Sequence, residues 1–120
     1  MQSSIDTGPR NALKKVGDSV TLECVTNNKN CEGVEWSKQE GEQSPNLVHR
    51  EGRGMLNNNR YPIDRYSVNP TGGCHLSIMQ LEIGDSGKFT CMHRDADSFE
   101  FTRISVLVVI GKSSNLMIYV

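Results

Sequence analysis

The sequence predicts an all-β chain, and three observations carry that prediction. No stretch of useful length repeats its apolar residues with the helical period. Alternation with a period of two, bounded by Gly, Asn, Asp and Pro, recurs instead about every 8 to 15 residues. Four cysteines, an even number at wide spacings, offer the covalent ties that such a chain can use.

Each element follows from its own alternation. In Asp18 to Val25, Val20, Leu22 and Cys24 share one face and Thr21 and Glu23 the other. In Gly33 to Gln39, Val34 and Trp36 oppose Glu35 and Ser37. Cys74, Leu76 and Ile78 alternate with His75, Ser77 and Met79 in the segment that ends at Leu81. Phe89, Cys91 and His93 then alternate with Lys88, Thr90 and Met92. Ile104 to Ile110 differs, because Ile104, Val106, Val108 and Ile110 on one side and Leu107 and Val109 on the other are all apolar. Polar, turn-forming segments connect these runs: Asn27 to Asn30, Glu40 to Pro45, and the long stretch Gly52 to Pro62.

The chain of 120 residues suits one domain. Hydrophobic residues are 36 % and aromatic residues 6 %, a lean supply for one core. Thirteen Lys and Arg face fourteen Asp and Glu, so neither a basic nucleic-acid binder nor an acidic tail is expected. The longest apolar runs, Val106–Ile110 and Leu116–Val120, fall far short of the roughly 20 residues that cross a bilayer. Residues 1–6 have neither the basic head nor the apolar middle of a secretory signal, so an exported form is expected to have lost one.

Cys24, Cys31, Cys74 and Cys91 form no metal knuckle, and His75, next to Cys74, points to the opposite face of a strand. No motif links His49, His75 or His93 to a reactive thiol. Disulfides, and so an oxidising compartment, are the economical reading. Neither a metal nor a small-molecule cofactor is expected. Catalysis is not expected either: the sequence has no nucleophile elbow, phosphate-cradling glycine loop or paired carboxylates.

Cys24 on a strand, then Trp36, then Asp85-Ser86-Gly87-Lys88-Phe89-Thr90-Cys91 resembles the immunoglobulin superfamily, and specifically its variable-type (V-set) domains. The resemblance implies a two-sheet Greek-key sandwich over residues 9–110, between an N-terminal segment, 1–8, and a tail or linker, 111–120. It implies that Gly17 to Cys24 is strand B, Val34 to Trp36 strand C, Leu76 to Ile78 strand E, and Asp85 to Cys91 the corner into strand F. The wide gap between Cys24 and Cys91 leaves room for C′ near Asn46 to Arg50 and C″ near Gly54 to Asn59. Strand D opens at Asp64 to Val68, with Arg65 paired to Asp85 as a structural salt bridge. Trp36, Phe89, Leu76, Ile78 and Leu22 are the implied core. Cys24 is expected to pair with Cys91 across the sheets. Cys31, in the BC loop, is expected to pair with Cys74 beside the DE loop. Phe89 departs from the family, whose tyrosine there bonds back to the corner through its hydroxyl.

The resemblance also implies a function: binding a protein ligand, or a second copy, through the GFCC′ face and the BC and FG loops, as the ectodomain of a cell-surface or secreted immune-type or adhesion receptor. Its outward positions are Glu35, Ser37 and Gln39; Lys88, Thr90 and Met92; and Leu47 or Val48 with His49. Gln39, His49, Met92, Arg94, Phe99, Val106 and Val108 are the candidate partner-binding residues. A strand G that is apolar on both sides either meets a partner or is covered by residues 115–120 folding back. The FG loop, His93 to Glu100, is either a solvated charge run or a recognition tip anchored by Arg94 and Phe99. Glu100-Phe101-Thr102-Arg103 replaces the Phe-Gly-x-Gly bulge of antigen-receptor domains, which removes their pairing geometry as a template. Met92 replaces the arginine expected of sialic-acid binders. Asn69-Pro70-Thr71 is not a glycosylation sequon, because of its proline. The other reading is a structural or homophilic adhesion module in a multi-domain protein.

Overall fold

A computed structural model describes residues 5–7, 11–26, 31–50, 54–56, 59–70, 73–94 and 100–111. The strands are β1 (Ile5–Thr7), β2 (Ala12–Lys15), β3 (Val20–Leu22), β4 (Val25–Thr26), β5 (Val34–Gln39) and β6 (Asn46–Arg50), then β7 (Gly54–Met55), β8 (Tyr66–Asn69), β9 (His75–Ile78), β10 (Gly87–Arg94) and β11 (Glu100–Ile110). Alternation built for two half-buried sheets gives two main sheets. One has six strands in the order β2-β11-β10-β5-β6-β7, the other three in the order β3-β9-β8, and β1 pairs with β4. All these pairs are antiparallel except β2 with β11, where Ala12 lies beside Leu107 and Leu13 beside Val108.

The inner faces meet around a single tryptophan. Trp36, Leu76, Ile78, Phe89 and Cys91 are fully buried, with Leu22 and Leu107 nearly so. Cys24 is bonded to Cys91 and Cys31 to Cys74. Trp36 donates its indole N–H to the Cys74 carbonyl at 2.9 Å, which ties the ring to the strand carrying the second disulfide. In the loop-closure model the Cys24–Cys91 bond contributes about 4 kcal/mol, a large part of a small domain's stability.

One end of the sandwich is closed by charge. The Asp85 carboxylate accepts from Arg65 at 2.7 Å, from the Tyr66 hydroxyl and from the Glu82 backbone N–H at 2.7 Å. Glu82 adds a second carboxylate to Arg65 at 3.0 Å. Burial alone would raise the Asp85 pKa, but the donors from Arg65, Tyr66 and Glu82 outweigh it and hold the carboxyl below its ordinary range. Burial, followed by the bond to Asp85, pushes the Tyr66 phenol up.

Several boundaries differ from expectation. Strand B is split, because Cys24 N–H donates to the His75 Nδ1 at 3.1 Å while Cys24 carbonyl accepts from Cys74 N–H at 2.7 Å. A side chain thus stands in for one rung of the ladder. The expected FG loop is too long: β10 continues through His93 and Arg94, paired with Phe101 and Glu100. Backbone pairing is indifferent to the charges that made this stretch read as a loop, and His93 is buried on the inner face. C″ is shorter than expected, ending at Met55, and strand D begins at Tyr66 rather than Asp64. The expected turn Asn27 to Asn30 lies outside the described residues.

Candidate partner-binding face

Cross-strand pairing fixes which side chains of the six-stranded sheet point outward. Cys91 stands opposite Trp36, and Phe89 opposite Lys38 and Ser105, so Phe89, Cys91 and His93 of β10 and Ser105 of β11 face the core. Leu107 and Val109 are accordingly buried. The even residues face away: Ile104, Val106 and Val108 are 51 %, 42 % and 43 % exposed. Leu13, beside Val108 on β2, is 63 % exposed. Four branched aliphatic side chains therefore form a strip along the β2–β11 side of the sheet, the kind of exposed apolar group that marks an interaction surface when contiguous.

The opposite side of the same face is polar. Glu35 accepts from Arg50 Nε at 3.0 Å across β5 and β6. Gln39 lies opposite Lys88, and Met92 opposite Thr102 and Glu35; Gln39 and Met92 are half-buried. The open choice on β6 is resolved by a bulge: Ser37 pairs with Leu47 but Trp36 pairs with His49, which leaves Val48 over and fully buried. Leu47 therefore shares the outward side of Ser37. His49, half-buried opposite Trp36, has a buried Nδ1 without a hydrogen-bond partner, and burial lowers its pKa. Alternation could not see this bulge, because one inserted residue reverses the parity of all that follow.

Arg94 ends β10 opposite Glu100, its side chain outside the described part, and Phe99 lies outside the described residues. Val106 and Val108 join the strip, while Gln39 and Met92 lie elsewhere on the same sheet.

Sequence reasoning missed two residues of this sheet, one on each of its faces. Leu13 lies in Ala12-Leu13-Lys14-Lys15, which lacks the alternating pattern, and becomes part of the strip only because β2 runs parallel to β11. Lys38 sits on the inner face at 2 % exposure, where its parity with Val34 and Trp36 was the available signal. Its Nζ donates to the Gly84 carbonyl at 2.7 Å, pairs with Glu40 at 2.9 Å and lies 5.6 Å from the Phe89 ring centroid. Among the described residues no group of three or more His, Cys, Asp or Glu is placed to hold a metal.

Two packed sheets, an inter-sheet disulfide over a buried tryptophan and an N-terminal strand, β2, laid parallel to the last strand, β11, define a V-set sandwich. The sequence matches the family model of the immunoglobulin V-set domain over residues 7–110, and the chain belongs to that family. No curated protein matches it. V-set domains are generally non-enzymatic modules that mediate protein–protein interaction, typical of immune or adhesion receptor ectodomains, and two disulfides accord with an extracellular setting.

Proposed function

We propose that this chain is the ligand-recognising V-set module of a cell-surface or secreted immune-type or adhesion receptor, and that it engages a protein partner through its six-stranded face. The observation that carries the reading is the strip of Leu13, Ile104, Val106 and Val108, exposed where a solvated sheet face ordinarily alternates to polar residues. Aliphatic side chains in the middle of such a contact supply burial, while the polar side with Gln39, Met92 and the Glu35–Arg50 pair supplies a rim. Arg94 and Phe99, next to this face in sequence, belong to residue types favoured as anchors.

A fluorescent tetramer of the domain, applied to a panel of leukocytes and stromal cells, tests the reading. Val106→Glu and Val108→Glu are expected to abolish staining without lowering the melting temperature, because both side chains already face solvent. Unchanged staining by both variants sinks this use of the face. Arg94→Ala and Phe99→Ala separately test the loop. The homophilic alternative is favoured by the same strip, since one apolar row can meet its own copy about a two-fold axis. Light scattering separates the two: a symmetric dimer lost in Val106→Glu supports self-recognition, and a monomer at high concentration supports a different partner.

A further inference from the structure

We infer that His75 is an acid-sensitive latch on strand B: its neutral ring holds Cys24 against β9 beside both disulfides, and a protonated ring lets go. The ladder between β3 and β9 runs in register from Val20 opposite Ile78 to Leu22 opposite Leu76. Two residues further on, Cys74 N–H donates to the Cys24 carbonyl at 2.7 Å. A regular antiparallel pair would return the exchange, from Cys24 N–H to the Cys74 carbonyl. Both of those groups have other partners here. The Trp36 indole N–H donates to the Cys74 carbonyl at 2.9 Å, and Cys24 N–H donates to Nδ1 of His75 at 3.1 Å.

An imidazole nitrogen accepts a hydrogen bond only while it is unprotonated. The bond from Cys24 therefore requires the neutral ring with its proton on Nε2. Protonation sets a second donor on Nδ1, facing the amide proton, and the rung is lost. Cys24 is fully buried, so its N–H reaches water only when the segment opens, and Trp36 already holds the carbonyl that the regular ladder would offer. Histidine is the side chain that changes charge at mildly acidic pH, so mild acid is enough to work the latch.

The surroundings fit the ring to this position. An added Cβ on Gly73 would lie 2.9 Å from Cε1 of His75 and 3.0 Å from Nε2, so the ring rests on a residue with no side chain to displace it. Between the Leu22 and Cys24 rungs, Glu23 stands beside His75 from strand B, and Asn69 pairs with it from β8. Among these described neighbours only Glu23 titrates, and it offers an exposed carboxylate that a charged ring can meet once it has left Cys24. The break between β3 and β4 falls at this point, and the adjoining Cys74 is bonded to Cys31. Acid thus loosens strand B where the BC segment is fastened to the three-stranded sheet, whichever partner the strip on the other sheet meets.

Nuclear magnetic resonance of the isotope-labelled 120-residue chain tests this without any substitution. At about pH 8 the His75 ring is expected to carry its proton on Nε2. On acidification to about pH 5 the Cys24 amide should shift in step with the ring and exchange roughly tenfold faster relative to the Leu22 amide. His75→Asn, which keeps an oxygen acceptor near the place of Nδ1 and cannot titrate, should hold that ratio constant with pH. A ring protonated on Nδ1 at about pH 8 overturns the inference, as does a Cys24 amide that stays protected while the ring titrates. So does a Cys24 amide that responds to acid equally in His75→Asn, which assigns the response to another group. None of these readouts involves the partner, so the latch and the proposed function fail separately.

Discussion

Lys38 is the least expected residue in the core, and its replacement gives a demanding test of how the sandwich is closed. V-set domains place a tyrosine where this chain has Phe89, with a hydroxyl that bonds back to the corner before strand F. Here Phe89 lacks the hydroxyl, and the buried ammonium opposite it in the sheet donates to the corner carbonyl of Gly84 instead. Its stem fills the space left by Gly87, where an added Cβ would lie 2.8 Å from Lys38 Cε. Lys38→Ala removes three buried methylenes, about 2.4 kcal/mol at about 0.8 each. It also removes a charge-assisted bond, about 1.5 to 3 kcal/mol, for a sum of about 4 to 5 kcal/mol. Lys38→Met keeps most of the stem. Gly84 and Glu40 are accessible enough to regain water, so this variant should cost only about 1 to 2 kcal/mol.

Urea titration read by the fluorescence of the single tryptophan measures both variants, since Trp36 is fully buried in the native state. At about 3 to 6 °C per kcal/mol for a domain of this size, the alanine variant should melt roughly 20 °C lower. The decisive comparison adds Phe89→Tyr. In the parent, the new hydroxyl competes with the ammonium and overpacks the corner, costing about 1 to 3 kcal/mol. In the Lys38→Met background it should restore the missing bond and gain about 1 kcal/mol. A double-mutant coupling of at least about 2 kcal/mol in favour of the pair is therefore expected. Additive effects would refute the claim that Lys38 performs the tyrosine's task.

Other perturbations probe the same framework. Asp85→Asn should cost roughly 3 kcal/mol at neutral pH, because it weakens a buried pair with Arg65. Since the folded carboxyl titrates below its ordinary value of 3.8, its contribution is present above that pH and fades as pH falls through the lower folded value; acid unfolding curves of the Asn variant should be flatter there. Gly73→Ala would set a Cβ 2.6 Å from the Cys24 carbonyl, so urea unfolding should show a loss of about 1 to 3 kcal/mol, and an unaltered midpoint would mean that the backbone there yields freely. Replacing Cys31 and Cys74 together by Ala should lower stability by about 1 to 3 kcal/mol, less than the isolated loop predicts because Cys24–Cys91 already restricts the chain, while the near-ultraviolet spectrum of Trp36 is retained.

The parts of this molecule that could be read from sequence are those where one local rule repeats. Cys24, Trp36 and Cys91 lie on alternating strands, so their meeting in the core follows from parity, and the resemblance then supplies the sheet arrangement. The face is harder, because it is assembled between strands that do not announce each other. Val106 and Val108 could be picked out, since β11 is apolar on both sides, whereas Leu13 enters the strip only through parallel pairing with Val108. His49 shows the complementary failure: one bulged residue reverses its side, and nothing in Leu47-Val48-His49 says which residue is extra.

Lys38 and Val106 are both exceptions to inside-apolar, outside-polar patterning, and the physical difference between them separates structure from function. The buried lysine is compensated within the domain, by the Gly84 carbonyl, Glu40 and the Phe89 ring, so its departure from the rule is resolved by the fold itself. The exposed strip has no such compensation among the described residues, since Leu13, Ile104, Val106 and Val108 keep between 42 % and 63 % of their surface open. A departure that the fold resolves belongs to stability, and one that it leaves open calls for something else to cover it. That asymmetry is why the proposed partner surface is the β2–β11 side of the sheet rather than the charged corner at Arg65 and Asp85.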